Sequence, residues 1–534
     1  MVSLSTGTGR RVARNTASLL GGRLIVTAVG LVTLPLVYRH LGSQEFGIWV
    51  LLCAVVAVLA IIDLGLGSAM VREVARDDGD SSPRRLRATL ALGLGWAVCL
   101  AVLATALLTA SWPWVGRLLQ LGELAGEARR AMLWLLVSLF LGGVELPWRA
   151  VLEGTQRHGT AAWIGAGAAL VGGVLTVGLL RIGGGLVGLA AVTALTSGLR
   201  GGLTILAARR YCPAYTPRLP DIRREDLRVV RGYGLRVQAT SAAGVVNTEL
   251  DRFVLSGFFT PATAGHFDLG ARLLNLLRLP PGFALLALFP VAVAGVANPG
   301  WLNRFYLRTT WRLAAFLAPC TAAVVVAADP LVRLWIGDQV PWAATNLAVL
   351  APAYAVNLVL GAATIVARAE GRPGLETRYV MLSVLLNLGT TVPLIWLYGP
   401  VGVPLATAAA ILLSSGYFLW HFHRSTARPL TPVLRILGWT TTAAVVAAAV
   451  GGLVSPHLPD GDGRLGAALA VCCRTGITLL VATLLVAGVR WFRPTIDGRA
   501  ADSADRTAAQ VNPCVDTEIA VRTGAPLTDE VGSR

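Results

Sequence analysis

The sequence predicts an all-α, polytopic membrane protein of about fourteen transmembrane helices: two six-helix lobes built as a parallel repeat, plus two C-terminal helices. Three observations predict it. The 534 residues are 55% apolar and only 14% charged, where a soluble domain carries about 25% charged residues. Apolar segments long enough to cross a bilayer alternate with short loops whose arginine content alternates too. The two halves of the chain also match each other in register.

A bilayer core of about 30 Å needs about 20 apolar residues in a helix. Such segments fall near 17–38, 47–70, 88–110, 130–152, 161–181, 185–207, 230–256, 264–296, 309–328, 343–367, 378–397, 401–421, 433–454 and 465–489. Arg10, Arg11 and Arg14 before the first segment mimic a signal peptide. That segment is too long for an h-region and no small-residue cleavage site follows, so it reads as the first span. Basic loops follow span 2 (Arg72, Arg76, Arg84, Arg85, Arg87), span 6 (Arg209, Arg210, Arg218, Arg223, Arg224, Arg228), span 8 (Arg304, Arg308), span 10 (Arg368, Arg372) and span 12 (Arg424, Arg428). The turns at 257–263 and 398–400 have no arginine, and loop 111–129, with Arg117 and Arg129, is the exception. The positive-inside rule then places both termini in the cytoplasm of a multi-pass protein of the cell membrane. The expected organisation is a cytoplasmic N-terminus (1–16), an N-lobe (17–208), a basic linker (209–229), a C-lobe (230–422), spans 13 and 14 (433–489), and a polar, acid-leaning tail (490–534) expected to be disordered.

The formal charge of +17 is carried by arginine alone, since the chain has no lysine. Arginines grouped in short loops between spans speak against a nucleic-acid partner. The seven cysteines show no metal-ligand spacing and the six histidines form no cluster, so no metal or cofactor is expected.

Spans 1–6 resemble spans 7–12. Leu41, Gly47 and Trp49 recur as Phe259, Gly265 and Phe267, 218 positions on. Arg157 and Gly159 recur as Arg372 and Gly374 at 215, and Gly185, Val187, Gly188, Thr193 and Ala194 recur as Gly399, Val401, Gly402, Thr407 and Ala408 at 214. An even number of spans per half makes the repeat parallel, a plan that sets a substrate path between halves that rock.

The stretch from Tyr233 to Pro281 carries charges where a membrane helix should have none. Tyr233, Arg236, Thr240, Gly244, Asn247 and Asp251 fall on one helical face. Asp268, Arg272 and Asn275 form a second stripe with Arg278 beside it, and Pro280-Pro281 is expected to interrupt that helix. A charge at mid-bilayer costs about 2.5–3.5 kcal/mol, so such residues face a bundle interior or a wet cavity. A charged, water-accessible cavity is one reading. The other is that Asp268 and Arg272 pair at i,i+4 and only hold helices together.

The residues also resemble a family: the polysaccharide (O-antigen-type) flippases, of the superfamily that holds the MATE exporters and the lipid II flippases. The resemblance rests on Asn15, Arg39-His40-Leu41-Gly42, Phe46-Gly47-Ile48-Trp49, Asp63-Leu64-Gly65-Leu66-Gly67 with Arg72 and Glu73, Leu152-Glu153-Gly154-Thr155-Gln156-Arg157, Asp251, and Tyr398-Gly399-Pro400-Val401-Gly402. It covers roughly residues 10–425. It implies a MATE-like fold and transport of a lipid-linked saccharide across the cytoplasmic membrane by alternating access of two lobes. It also implies membrane lipid as a partner, with the polysaccharide polymerase and export machinery beyond.

Such a cargo needs cations for its phosphate, polar groups for its sugars and an open side for its prenyl tail. Arginine's planar fork of donors suits the phosphate. The intramembrane candidates are Arg272 and Arg278 above all, then Arg252, Arg149 and Arg23; Arg23 and Arg236 lie near the inner surface, where they can simply snorkel. Asn247, Asn275, Asn357 and Asn387 are candidates for sugar hydroxyls or for bridging helices. Asp251, Glu145 and Glu249 are the candidates for ion coupling, because a carboxylate in a low-dielectric cavity can bind and release H+ or Na+ during a cycle. Asp63 is a weaker candidate that can cap a helix or pair with an arginine. The same fold with another cargo (lipid II, a teichoic-type precursor or a drug) is the first alternative. A drug exporter favours acidic and aromatic groups, whereas this interior has as many arginines as acids. An enzyme acting on the same lipids is disfavoured, because the loops large enough to hold a site offer few acids (Glu123, Glu127, Asp329, Asp338) and no paired-carboxylate or metal motif.

Overall fold

The computed structural model describes residues 6–61, 66–75, 83–211, 235–337, 340–458 and 463–488. Asp63, Tyr233, most of the basic linker and the tail beyond 488 lie outside the described residues.

Fifteen helices are described. In the first half they are α1 (Thr6–Ala60), α2 (Leu66–Ala75), α3 (Pro83–Leu118), α4 (Ala125–Gly154), α5 (His158–Arg181) and α6 (Leu186–Tyr211). The second half holds α7 (Leu235–Phe258), α8 (Pro261–Ala294), α9 (Pro299–Val326), the short α10 (Ala328–Ile336), α11 (Pro341–Ala369), α12 (Gly374–Tyr398) and α13 (Gly402–Ser425), followed by α14 (Thr431–Val454) and α15 (Gly463–Gly488). Eleven stretches are long and apolar enough to cross a membrane. Two of them are double: 17–60 holds both limbs of α1, and 374–425 holds α12 and α13. Adding α7, whose charges dilute its hydropathy, gives the fourteen spans of the sequence reading.

α1 breaks at Gly42, whose φ of 75° lies in the left-handed region open to glycine. The matching break in the second half falls between α7 and α8. There Thr260 caps α8 by accepting the Thr263 N–H, and Pro261 occupies the first turn, where an N–H would be orphaned anyway. The expected interruption at Pro280-Pro281 does not occur. α8 runs unbroken from Pro261 to Ala294 with Pro280, Pro281 and Pro290 inside it. Proline's fixed φ is helical, and membrane helices tolerate the lost hydrogen bonds through neighbouring helices and local adjustment.

The repeat is visible as packing. Gly47 and Gly265 meet: a Cβ on Gly265 would lie 3.0 Å from the Gly47 Cα, and a Cβ on Gly47 would strike the Pro261 backbone. A residue that touches its own repeat-mate lies on the pseudo-twofold axis. Off the axis, equivalent residues do equivalent work. Arg157 stacks over the Tyr211 ring at the end of α6, and Arg372 donates to the Ser425 carbonyl at the end of α13. Gly188 closes on Leu179 as Gly402 closes on Leu394, tightening the α5–α6 and α12–α13 hairpins.

The lobes are joined at the Gly42 end. Arg39 Nε donates to the Ile336 carbonyl at 2.5 Å, and Trp335 Nε1 to the Leu31 carbonyl at 2.8 Å. Gln120 donates to the Gly257 carbonyl and Ser256 to the Leu119 carbonyl, each at 2.9 Å. Tyr38 meets His266 at 3.2 Å. Beneath them one apolar core crosses both lobes, with Phe46, Ile48 and Leu51 packed among Leu269, Leu273 and Ile336. α14 and α15 pack on α9 through small residues, including Ala322, Ala447 and Ala482, as close helix contact in lipid requires.

Candidate functional site

α8 is the spine of the site. Asp268 sits two turns into it and is 1% exposed. Its Oδ1 accepts from Arg252 Nη2 on α7 at 2.7 Å, and its Oδ2 accepts from Arg272 Nε one turn on at 2.5 Å. Arg252 also pairs with Glu249 on its own helix. Glu249, Arg252, Asp268 and Arg272 thus form a charge-neutral chain across two helices. Arg272 and Asp268 pair as the plain structural reading expects, but the pairing uses only the Nε of Arg272. Its terminal nitrogens make no hydrogen bond among the described residues, and the side chain is 44% exposed. Cys53 of α1, in the other lobe, lies within electrostatic reach of Asp268, Arg252 and Arg272. That places the chain of charges where the lobes face each other.

Arg278 lies five turns from the α8 cap. It has no carboxylate partner among the described residues. Its Nη1 donates to Asn275 Oδ1 at 3.1 Å, and its guanidinium lies 4.4 Å over the Tyr354 ring of α11. Two arginines on one helix therefore keep free donors, and a carbonyl oxygen and an aromatic face hold the second.

Asp251 is a separate site. It is 2% exposed and is held by α12 and α13. Asn387 Nδ2 donates to its Oδ1 at 3.3 Å and Thr407 Oγ1 to its Oδ2 at 2.7 Å. Thr391 Oγ1 donates to the Asn387 backbone carbonyl at 2.6 Å and lies 3.0 Å from Asn387 Oδ1, within 3.4 Å of which Thr407 Oγ1 also lies. Every described partner of Asp251 is neutral.

The remaining candidates lie elsewhere. Glu145, 4% exposed, accepts from Arg200 Nε at 2.7 Å and from Thr204 Oγ1 at 3.2 Å, tying α4 to α6. Arg149 pairs with Glu153 at 2.7 Å along α4, with its side chain 55% exposed. Arg23 is exposed on the first limb of α1. No described contact links these three to the α7–α8 charges. Asn247 falls on α7 with its side chain outside the described residues. Arg200, Thr391, Thr407, Cys53 and Tyr354 did not stand out in the sequence. Arg200 alone offered a signal, as a lone arginine in the middle of an apolar segment.

Two pseudo-symmetric helical lobes, closed at one end and lined between them by charged residues, define a membrane transporter of MATE-like fold. Residues 12–295 match the family described as polysaccharide biosynthesis protein, and the chain belongs to that family. Solved structures agree on the fold. A lipid II flippase, MurJ, in an inward closed conformation matches with a TM-score of 0.68 at 14% identity over 90% of this chain and 99% of that one. An inward-facing multidrug-resistance MATE transporter of the MOP superfamily matches with a TM-score of 0.65 at 18% identity, over 75% and 95% of the two chains. A MOP superfamily transporter from Pyrococcus furiosus, whose binding pocket is described as reversed in polarity, matches at 0.57 and 18% identity, over 78% and 96%. No curated protein matches the sequence.

Proposed function

We propose that this transporter flips a prenyl-(di)phosphate-linked oligosaccharide across the cytoplasmic membrane for cell-surface polysaccharide synthesis. One observation carries the reading: Arg272 and Arg278, on one helix of the membrane bundle, keep guanidinium donors that no described partner takes, and Arg272 lies within electrostatic reach of Cys53 in the other lobe. A path for a cationic drug has no use for free arginine forks, whereas a lipid diphosphate needs them. The arginine-rich end, with Arg368, Arg372, Arg424 and Arg428, is on this reading the cytoplasmic face, and both termini lie there. The lobes span 17–208 and 230–422.

Coupling to H+ or Na+ is assigned to Asp251. Of the three candidate carboxylates, Glu145 and Glu249 are each committed to an arginine. Breaking a buried pair by removing one charge is costly. Asp251 can take up a proton or a desolvated cation without breaking one, and the oxygens of Asn387, Thr391 and Thr407 supply hard ligands for a cation.

The test is flipping in proteoliposomes. A short fluorescent prenyl-diphosphate oligosaccharide is offered with and without a proton or sodium gradient, beside Arg272→Ala and Arg278→Ala. The expected result is gradient-dependent movement that both variants lose. Full activity in both would sink the site. Efflux of a cationic dye in place of lipid movement favours a drug exporter. Movement of lipid II or a teichoic-type precursor in place of the oligosaccharide keeps the mechanism and changes the cargo.

A further inference from the structure

Next to the Arg278–Tyr354 stack the C-lobe holds a pocket of about 160 Å³. It lies between α8, α11, α12 and α13, and its polar wall is Asn357, Tyr379, Ser415 and Glu376 with Thr364, whose hydroxyl is turned to the Gly361 carbonyl. Helical phase places it beside the arginine. Leu285 of the pocket is seven residues on from Arg278, and Gly361 is seven on from Tyr354, so each pair shares a face. Asn357 is three residues past Tyr354, about 4.5 Å along the axis. A Cβ on Gly361 would strike the Leu285 side chain, so the glycine lets α8 and α11 close together just beyond the pocket.

The pocket's chemistry is specific. Asn357 Nδ2 donates to Tyr379 Oη at 2.9 Å and to Ser415 Oγ at 3.3 Å. Its Oδ1 meets no donor among the described residues. Glu376 takes both N–H groups of Arg368, at 2.6 and 2.5 Å, so its charge is neutralised while lone pairs remain. The Tyr379 ring leans on Phe418 with centroids 5.6 Å apart, which sets an aromatic surface beside the amide. Tyr379 lies within electrostatic reach of both Glu376 and Arg278. A second cavity, of about 250 Å³ between α9, α11 and α14, shows the contrast, being walled by Ala, Val and Leu side chains, one proline and three threonines. Polar groups inside a membrane lobe are costly unless they bind something or each other. Here an amide oxygen and a carboxylate face a space on the scale of one sugar ring, next to a cation.

We infer that this pocket is the specificity subsite for the sugar attached directly to the phosphate. With the phosphate on Arg278, the first sugar lies one helical turn on. Its hydroxyls donate to Asn357 Oδ1 and Glu376, and its apolar face rests on Tyr379. The inference rests on the lipid-linked cargo proposed above, and its test separates the two.

Binding is measured with the purified full chain in nanodiscs. The probes are a prenyl diphosphate alone and a panel of the same lipid carrying one monosaccharide each. Wild type is expected to bind at least one glycosylated lipid about tenfold or more tighter than the bare lipid. Asn357→Ala and, separately, Ser415→Ala should lower that preference by about three- to tenfold and leave bare-lipid affinity unchanged. Arg278→Ala should weaken both. Thermal melts of each variant in the same nanodiscs confirm that the fold survives. Equal affinity of wild type for the bare lipid and the whole panel overturns the subsite, as does equal weakening of both probes in the two pocket variants. In either case the transport reading stands if the bare lipid binds. Failure of every probe to bind wild type overturns the reading of the cargo, and the subsite with it.

Discussion

The glycine pair on the pseudo-twofold axis allows a direct test of rocking. Gly47 and Gly265 touch only while the lobes are closed at the Gly42 end, and a Cβ on Gly47 would lie within the Pro261 backbone. Overpacking of this kind costs about 1–3 kcal/mol where the surroundings cannot yield, and a backbone atom across an interface yields little. The helix-propensity gain of alanine over glycine acts in both states and cancels. Gly47→Ala should therefore shift the equilibrium toward the state that is open at this end by about 5- to 150-fold. Gly30→Ala is the control, since its Cβ would meet nothing within 4 Å. Spin labels at Ile182 and Trp396, 83% and 78% exposed at the two hairpin ends near Gly42, report the separation by electron paramagnetic resonance. The expected result is a longer-distance population in Gly47→Ala and an unchanged one in Gly30→Ala. An unchanged distribution in a folded Gly47→Ala protein would refute the axis contact as a part of the closed state.

Other expectations follow from the two sites. Asp251→Asn should leave a folded protein whose transport no longer responds to a proton or sodium gradient; a retained response assigns coupling elsewhere. Thr407→Val should weaken that response without abolishing it, read as an increased ion concentration at half-maximal rate. Asp268→Asn leaves Arg252 and Arg272 without their shared carboxylate, and should destabilise by about 3–5 kcal/mol, read as a lowered Tm in detergent. An unchanged Tm there means that the chain of charges is not structural.

The spans, their order and the repeat were legible in the sequence because each is a local or periodic property. Hydropathy found the helices, and the gap between segments 17–38 and 47–70 and the turn at 257–263 fall at the two equivalent breaks. The stripe Asp268, Arg272, Asn275 was legible for the same reason, since i,i+4 spacing fixes a face. The partners were not. Glu145 and Arg200 are 55 positions apart and meet only because α4 packs on α6. Thr407 looks like any threonine in an apolar helix until it bonds Asp251 from 156 positions away. The unbroken α8 shows the converse error. A proline pair reads as a break where sequence is the only witness, whereas neighbouring helices hold the segment in line.

The repeat also tells where the chemistry is not. At the offset fixed by Gly47 and Gly265, the second-half residues Glu249, Arg252, Asp268, Arg272 and Arg278 correspond to Leu31, Leu34, Val50, Ala54 and Ala60. Each charge in the α7–α8 group thus has an apolar counterpart in the first half. The N-lobe's own pair of buried Glu145 and half-exposed Arg200 corresponds at offsets of 215 and 214 to Leu360 and Ser414. The C-lobe therefore carries the two arginines with free donors, the polar pocket and Asp251, and α1 supplies apolar residues at the matching positions. On the proposed reading, a cargo gripped by its phosphate stays with the C-lobe while the N-lobe slides past it. Ala54, the position matching Arg272, is 1% exposed, so an arginine there must first be accommodated by the surrounding helices; in an Ala54→Arg protein whose Tm is retained, release should slow rather than binding improve. It would set a second cation near a phosphate that is already held, in a low-dielectric space where each added pairing costs more to undo. The check is single-turnover flipping, in which lipid uptake is preserved and appearance in the opposite leaflet is delayed. An accelerated appearance would mean that the phosphate is handed between lobes.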